Sequence, residues 1–197
     1  MQKGSSFLYN LLVKSSIISF GKYGPFSKKL ALESDTITNM NNLLFARNLV
    51  KGKIAETLFA QMLRETQVFT VLEFGYEKII PELVQQGYDQ EKNIVIETLR
   101  TAPDFAIINQ ETKEVKLVEV KYRHRLQASE ILKCATRMHA SWNPSYLFLA
   151  TLDGFYFDEI NKIIENDGNI SPLVHPQIPK DLQDKYLQIL KDFEGTN

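Results

Sequence analysis

Cysteine and tryptophan are nearly absent, each occurring once in 197 residues, and no apolar run is long. A lone cysteine, Cys134, excludes an internal disulfide and a cysteine-rich zinc site, and it points to a reducing compartment. It falls in an expected amphipathic helix, where it reads as a small buried apolar residue rather than a nucleophile. No segment approaches the ~20 apolar residues of a transmembrane helix, so no membrane partner is expected. The opening "MQKGSSFLYNLLVKSS" begins as a signal peptide does, but Lys14 cuts its apolar run short and no small-residue cleavage site follows. A cytoplasmic location is the expectation. There is no P-loop, no dinucleotide fingerprint and no Ser-His-Asp ordering.

What is present suffices for a core. Apolar residues make up 44% of the chain, with 12 Phe and 8 Tyr, which fits one domain with an appended terminal piece. The net charge of −1 conceals an uneven distribution. Residues 1–32 hold five lysines and no acid, whereas residues 113–137 hold seven Lys or Arg against three acids. From Asp153 onward nine acids face four lysines. A local basic face is what phosphate contacts require, although ordinary solvated charge reads the same in composition.

Periodicity predicts a helix from about Asn42 to Glu65, with Ile54, Ala55, Leu58, Phe59 and Met62 as its buried stripe. Gly52 weakens its middle. "VFTVLEF" reads as a strand and "PELVQQG" as a short helix opened by Pro81. "NIVIET", "DFAII" and "VKLVEVKY" are further strands. A second amphipathic helix spans about Gln127 to Ala140 and carries Ile131, Leu132, Ala135 and Met138. "SYLFLAT" and "GFYF" are strands joined at Asp153-Gly154, a hairpin dipeptide. Helix is expected around "DEINKIIEN" and again from Asp181 as an N-cap. The order predicts an α/β sandwich around a mixed sheet.

Within this pattern, "TAPDFAIINQETKEVKLVEVKYR" places acids where a hairpin core should be. A symmetric loop centred on "QETK" pairs Ile108 with Val115, and four steps back it pairs Asp104 with Glu119. Side chains alternate, so Glu119 and Lys121 share a face while Val118, Val120 and Tyr122 take the other. Opposed carboxylates repel, and a hard divalent cation between them reverses the sign. Mg²⁺ binds through one or two carboxylates and keeps several waters, which suits this pair. Glu56, at the margin of the first helix's buried stripe, offers a third acid. Lys121 stands where it could orient water or stabilise charge developing on a phosphate.

Here "PDF", the fifteen positions from Asp104 to Glu119, and "EVK" resemble the PD-(D/E)XK nuclease superfamily. "GKIAE" in the preceding helix is similar to its first motif. The flavour is that of the Holliday-junction-resolvase-like and Mrr-like branch, and the likeness covers about Asn42 to Phe157. It implies a restriction-endonuclease-like three-layer sandwich, a central mixed β-sheet flanked by helices. It implies Mg²⁺ or Mn²⁺ on Asp104, Glu119, the backbone carbonyl of Val120 and Glu56, with Lys121 assisting the attacking water. The implied activity is phosphodiester hydrolysis of DNA in preference to RNA, as an endonuclease in preference to an exonuclease. Homodimers are common among such proteins, so a homodimer is an open expectation. The expected layout is a basic segment over 1–40, a nuclease core over 41–160 and a helical extension over 161–197.

Around this centre, Arg123, Arg125, Lys116 and Lys133 are candidate phosphate contacts, with Gln127 a further polar candidate at the next helix. His124 has no second histidine at ligand spacing, and His139 and His175 read as surface or packing residues. Trp142 reads as a helix-end anchor. Two other classes remain open: a non-catalytic nucleic-acid-binding or assembly subunit retaining the fold, and an α/β domain in which Asp104, Glu119 and Lys121 are a structural ion pair.

Overall fold

The computed structural model describes residues 26–75, 98–99 and 101–195, with side chains from residue 44 onward. The chain divides into two compact units, residues 1–48 and 49–197; the first part of the helix over Phe26–Glu65 belongs to the first, and the sheet, core and site described below belong to the second. Helix α1 (Phe26–Glu65) begins well before the expected Asn42. It is followed by β1 (Phe69–Glu73), β2 (Phe105–Asn109), β3 (Val115–Tyr122), α2 (Ala128–His139), β4 (Tyr146–Ala150), β5 (Phe155–Glu159), α3 (Ile160–Glu165) and α4 (Lys180–Gly195). The expected "PELVQQG" helix lies outside the described residues. So does most of "NIVIET", of which only Thr98 is described, as helix. No described helix is long and apolar enough to cross a membrane.

The sheet runs β1-β2-β3-β4-β5. Neighbours are antiparallel except β3 and β4, which are parallel and joined through α2. Such a mixed sheet follows from the chain order, because β1, β2 and β3 form a meander while a parallel step needs a crossover.

Strand alternation divides the core between the two faces. Val118, Val120 and Phe148 face α1, where Ala55, Leu58, Phe59, Met62 and Leu63 pack as the helical spacing predicts. Tyr186, Leu187 and Leu190 of α4 join this same cluster, so the C-terminal helix is part of the principal core. Leu147 and Leu149 face the other way, against Ile131, Ala135 and Met138 of α2 and Ile160 and Ile163 of α3. Burying each of the Val, Leu, Ile, Phe and Met side chains among these stabilises the fold by about 1.5–3 kcal/mol. The result is an α/β sandwich with helices on both faces.

Two local features differ from or refine the expected pattern. Helix α4 starts at Lys180, so Asp181 sits inside the first turn rather than at the cap. Its carboxylate there still favours the positive end of the helix. After α3 the chain turns through Gly168 at φ +85°, and a Cβ at that position would lie 2.0 Å from the carbonyl oxygen of Ala128. Only glycine permits α3 to close onto the start of α2.

Candidate metal centre

The β2–β3 hairpin sets the site. Asn109 Oδ1 accepts hydrogen bonds from the N–H groups of Glu111 and Thr112, at 2.8 and 3.1 Å, and Lys113 takes a left-handed φ of 63°. This closes the loop symmetrically over "QETK" and fixes Ile108 opposite Val115 and Phe105 opposite Val118. Asp104 lies in the bend just ahead of β2, where continuing the register would set it opposite Glu119, and the charge of Glu119 acts on its carboxyl. Glu119 is buried, at 6% exposure, on the α2 face of the sheet. Its Oε1 is in direct ion-pair contact with Nζ of Lys121, two residues on along the same face.

Backbone direction completes the geometry. Residues 119, 121 and 123 of this segment turn their backbone groups toward β4, as the Arg123 N–H bond to the Ala150 carbonyl at 3.0 Å illustrates. Val118, Val120 and Tyr122 therefore turn theirs toward β2. Continuing the register sets Val120 opposite Pro103, which has no N–H to give to the Val120 carbonyl. The Val120 N–H donates to Oδ2 of Asp104 at 2.8 Å. Asp104's own carbonyl faces β1, accepting from the N–H groups of Phe74 and Gly75 at 2.9 and 3.2 Å.

The electrostatics follow from this crowding. Burial, then the charge of Glu119, push the Asp104 carboxyl up to about 7, with Glu56 adding to the rise. Lys121 and the Val120 N–H oppose it. For Lys121, burial works against the charged form, but Glu119 and Asp104 outweigh it and hold its pKa above the ordinary lysine value. Cys134 of α2 lies beneath the pair, and burial raises its thiol pKa, consistent with a packing residue.

The remaining candidates separate. Glu56 is on α1, where its Oε2 is 2.6 Å from Nζ of Lys53. Its charge reaches Asp104, but its carboxylate is engaged by that lysine. Arg123 donates to the Tyr122 carbonyl at 2.9 Å and pairs with Glu130 at 3.2 Å. Arg125, Gln127, Lys133 and His124 are exposed. Lys116 shares the parity of Val118 and Val120, so it stands on the α1 face, paired with Glu114 at 2.8 Å and over the Tyr146 ring. It does not flank Glu119 and Lys121. His139 is exposed, and His175 Nδ1 accepts from the Gln177 N–H at 3.2 Å, beside Phe69. Trp142 anchors as expected, donating to the Thr98 carbonyl at 3.0 Å with its ring edge-on to Phe74.

Two residues near the centre escape a motif reading. Lys53 precedes Glu56 by one helical turn, inside "GKIAE", where spacing alone signals an ion pair. Glu73 ends β1 opposite Phe105, and only the register reveals its nearness.

The donors suit a hard cation in part. Two neighbouring carboxylates and a carbonyl whose strand partner is proline are the oxygen ligands Mg²⁺ or Mn²⁺ prefers, with waters completing the shell. Among the described residues, however, no three His, Cys, Asp or Glu side chains gather closely enough to hold a metal. Asp104 and Glu119 therefore fit the ion as a pair, and Glu56 stands apart with its own lysine. No protein-family model, curated protein or solved structure matches the chain.

Proposed function

We propose that the protein is a divalent-metal-dependent nuclease of the PD-(D/E)XK type, acting on DNA in the cytoplasm as an endonuclease. One observation carries this reading: Asp104, which accepts from the Val120 N–H, lies close enough to Glu119 for their charges to act on each other, with Lys121 beside Glu119 on the same face. The α/β sandwich with helices on both faces agrees with a restriction-endonuclease-like fold.

Asp104, Glu119 and the Val120 carbonyl would hold Mg²⁺ or Mn²⁺. Bound there, the ion supplies Lewis-acid polarisation of the scissile phosphate and lowers the pKa of a water. The residues do the rest. Glu119 would hold the ion while remaining the ion-pair partner of Lys121 on the same face. The Lys121 ammonium is then placed to orient water for in-line attack and to stabilise charge developing on phosphorus. Water's oxygen bonds to phosphorus and gives up its proton to solvent, the P–O bond to the leaving sugar breaks, and the sugar oxygen takes up a proton from solvent. The half-exposed Arg123 and the exposed Arg125 would contact flanking phosphates.

A second reading draws on the lysines. Because Lys121 already neutralises Glu119 and Lys53 engages Glu56, the same fold could bind nucleic acid without cutting it. Cleavage of supercoiled, linear, single-stranded and branched DNA with Mg²⁺ or Mn²⁺ separates the two. The nuclease reading expects cutting by the natural chain and none by Asp104→Asn. Binding without cutting, in both proteins and with both metals, would establish the second.

A further inference from the structure

A cavity on the α1 face of the sheet has no part in the mechanism above. It has a volume of about 520 Å³, part of it open to solvent, and lies between α1, the sheet and the chain from Leu173 to Ile178. Small-molecule sites fall in this size range, mostly apolar with a few placed polar groups. Met62, Leu63, Ile107 and Phe148 belong to the buried core and also line this space, with Phe69 and Phe157 beside them. Close-packed interiors hold few voids larger than a water molecule, so a cavity reaching this cluster sets the region apart.

Its polar lining is Asn109, Glu114, Lys116 and His175. Asn109 is occupied: its Oδ1 closes the β2–β3 loop and its Nδ2 donates to Oε1 of Gln177 at 3.0 Å. That bond ties the segment after Leu173 to the hairpin, with the His175 ring 5.5 Å from that of Phe69. His175 Nδ1 accepts from the Gln177 N–H, so the neutral ring carries its proton on Nε2, as a donor. Burial, then the charge of Lys116, hold the His175 pKa below the ordinary histidine value against the opposing charge of Glu114, so the ring is neutral near pH 7.

Lys116 and Glu114 form an ion pair at 2.8 Å, and their exposure decides which charge the cavity keeps. The Glu114 side chain is 52% exposed and that of Lys116 24%. An ion pair this open contributes little, so Glu114 can turn into water at small cost. Lys116 is held over the Tyr146 ring, 5.1 Å from its centre. The cavity thus offers an apolar body two donors, one of them cationic.

We propose that this cavity binds a small monocarboxylic acid, its apolar body against the phenylalanines and its carboxylate accepting from Lys116 and His175. The site does not depend on the nuclease reading, because Glu119 and Lys121 stand on the other face of the sheet.

The test titrates hexanoate, hexanol and hexylammonium into the full chain without metal, following backbone amide signals by NMR. The three probes share one apolar body and differ only in the head group. Hexanoate is expected to bind most tightly and hexylammonium least, with the largest shifts at the Gln177 and Ile178 N–H groups. Lys116→Met should weaken hexanoate by about tenfold, the worth of one hydrogen bond to a charged group, and leave hexanol little changed. Glu114→Gln, which removes the competing acid, should tighten hexanoate. The order of the probes on the natural chain needs no variant to fold. Hexanol bound as tightly as hexanoate, or hexylammonium more tightly, would overturn the proposal, as would an unchanged hexanoate affinity in a folded Lys116→Met. Shifts confined to other parts of the chain, or no binding of any probe at millimolar concentration, would overturn the site itself.

Discussion

The backbone N–H of Val120 donates to Oδ2 of Asp104 at 2.8 Å, so a side chain takes the ladder position beside Pro103. Asp104 is thus both an acceptor within the sheet and one of two neighbouring acids, and these roles respond differently to substitution. Asp104→Asn keeps an acceptor and removes the repulsion with Glu119. Asp104→Ala leaves a buried N–H without its partner, a loss of about 1–3 kcal/mol. Both variants should lose Mg²⁺ binding by calorimetry, but in metal-free urea unfolding only the alanine variant should be less stable than the natural chain. Unchanged metal binding in both would remove Asp104 from the site.

The same carboxyl makes stability depend on pH. In the folded chain it keeps its proton up to about pH 7, whereas the ordinary value is 3.8. Between these values the folded state binds more protons than the unfolded one, so stability falls as pH rises through that window and levels off above it. The drop should be on the order of a few kcal/mol for a group shifted this far. It should vanish in Asp104→Asn, and saturating Mg²⁺ should offset it near neutrality. A natural chain whose urea midpoint rises from pH 4 to 7 would contradict this account.

Lys121 is the counter-charge of a buried acid as well as the proposed catalytic group. Lys121→Ala should keep metal binding and lose about 10²–10⁴-fold in cleavage rate, the usual contribution of one positioned group. It should also destabilise the metal-free protein by about 1–3 kcal/mol. That is less than for a fully buried pair, because the lysine side chain is 29% exposed. Added Mg²⁺ should restore much of this loss by neutralising Glu119, which a purely structural ion pair would not show. Thermal melts with and without metal read it directly.

Much of this centre is legible in the sequence because strand periodicity and an even hairpin loop leave little freedom. The Ile108–Val115 pairing, the face shared by Glu119 and Lys121, and the stripe Ala55, Leu58, Phe59 and Met62 all follow from period and parity. The membership of α4 in the principal core does not, since Tyr186, Leu187 and Leu190 carry the same helical spacing whether they cover a core or an appendage. Counting nearness along the chain misplaces Lys116: three positions from Glu119 on a strand means the opposite face. Glu56 looks like a free ligand until Lys53 is seen beside it. The i, i+3 spacing of the two on a helix is itself the signal of that pair, and a reading that follows only the motif passes over it.

Arg123 and Arg125 lead away from the site along the chain, and their contribution to binding should be electrostatic. Arg123 is held by Glu130 at 3.2 Å, so reaching a phosphate means exchanging one anion for another. Replacing both arginines should weaken binding to unrelated DNA sequences alike. It should also make log K against log salt shallower by about 0.9 for each phosphate no longer neutralised. Glu130→Gln frees Arg123 and should tighten binding at low salt, whereas Lys116→Ala, on the other face, should change neither affinity nor slope. Salt titrations in Ca²⁺, as a stand-in for the cleavage-supporting metal, measure all three. An unchanged slope with weaker binding to one sequence only would make these arginines readers of bases, because phosphate contacts carry no sequence information. A full effect from Lys116→Ala would instead place the DNA across the α1 face, away from Glu119 and Lys121.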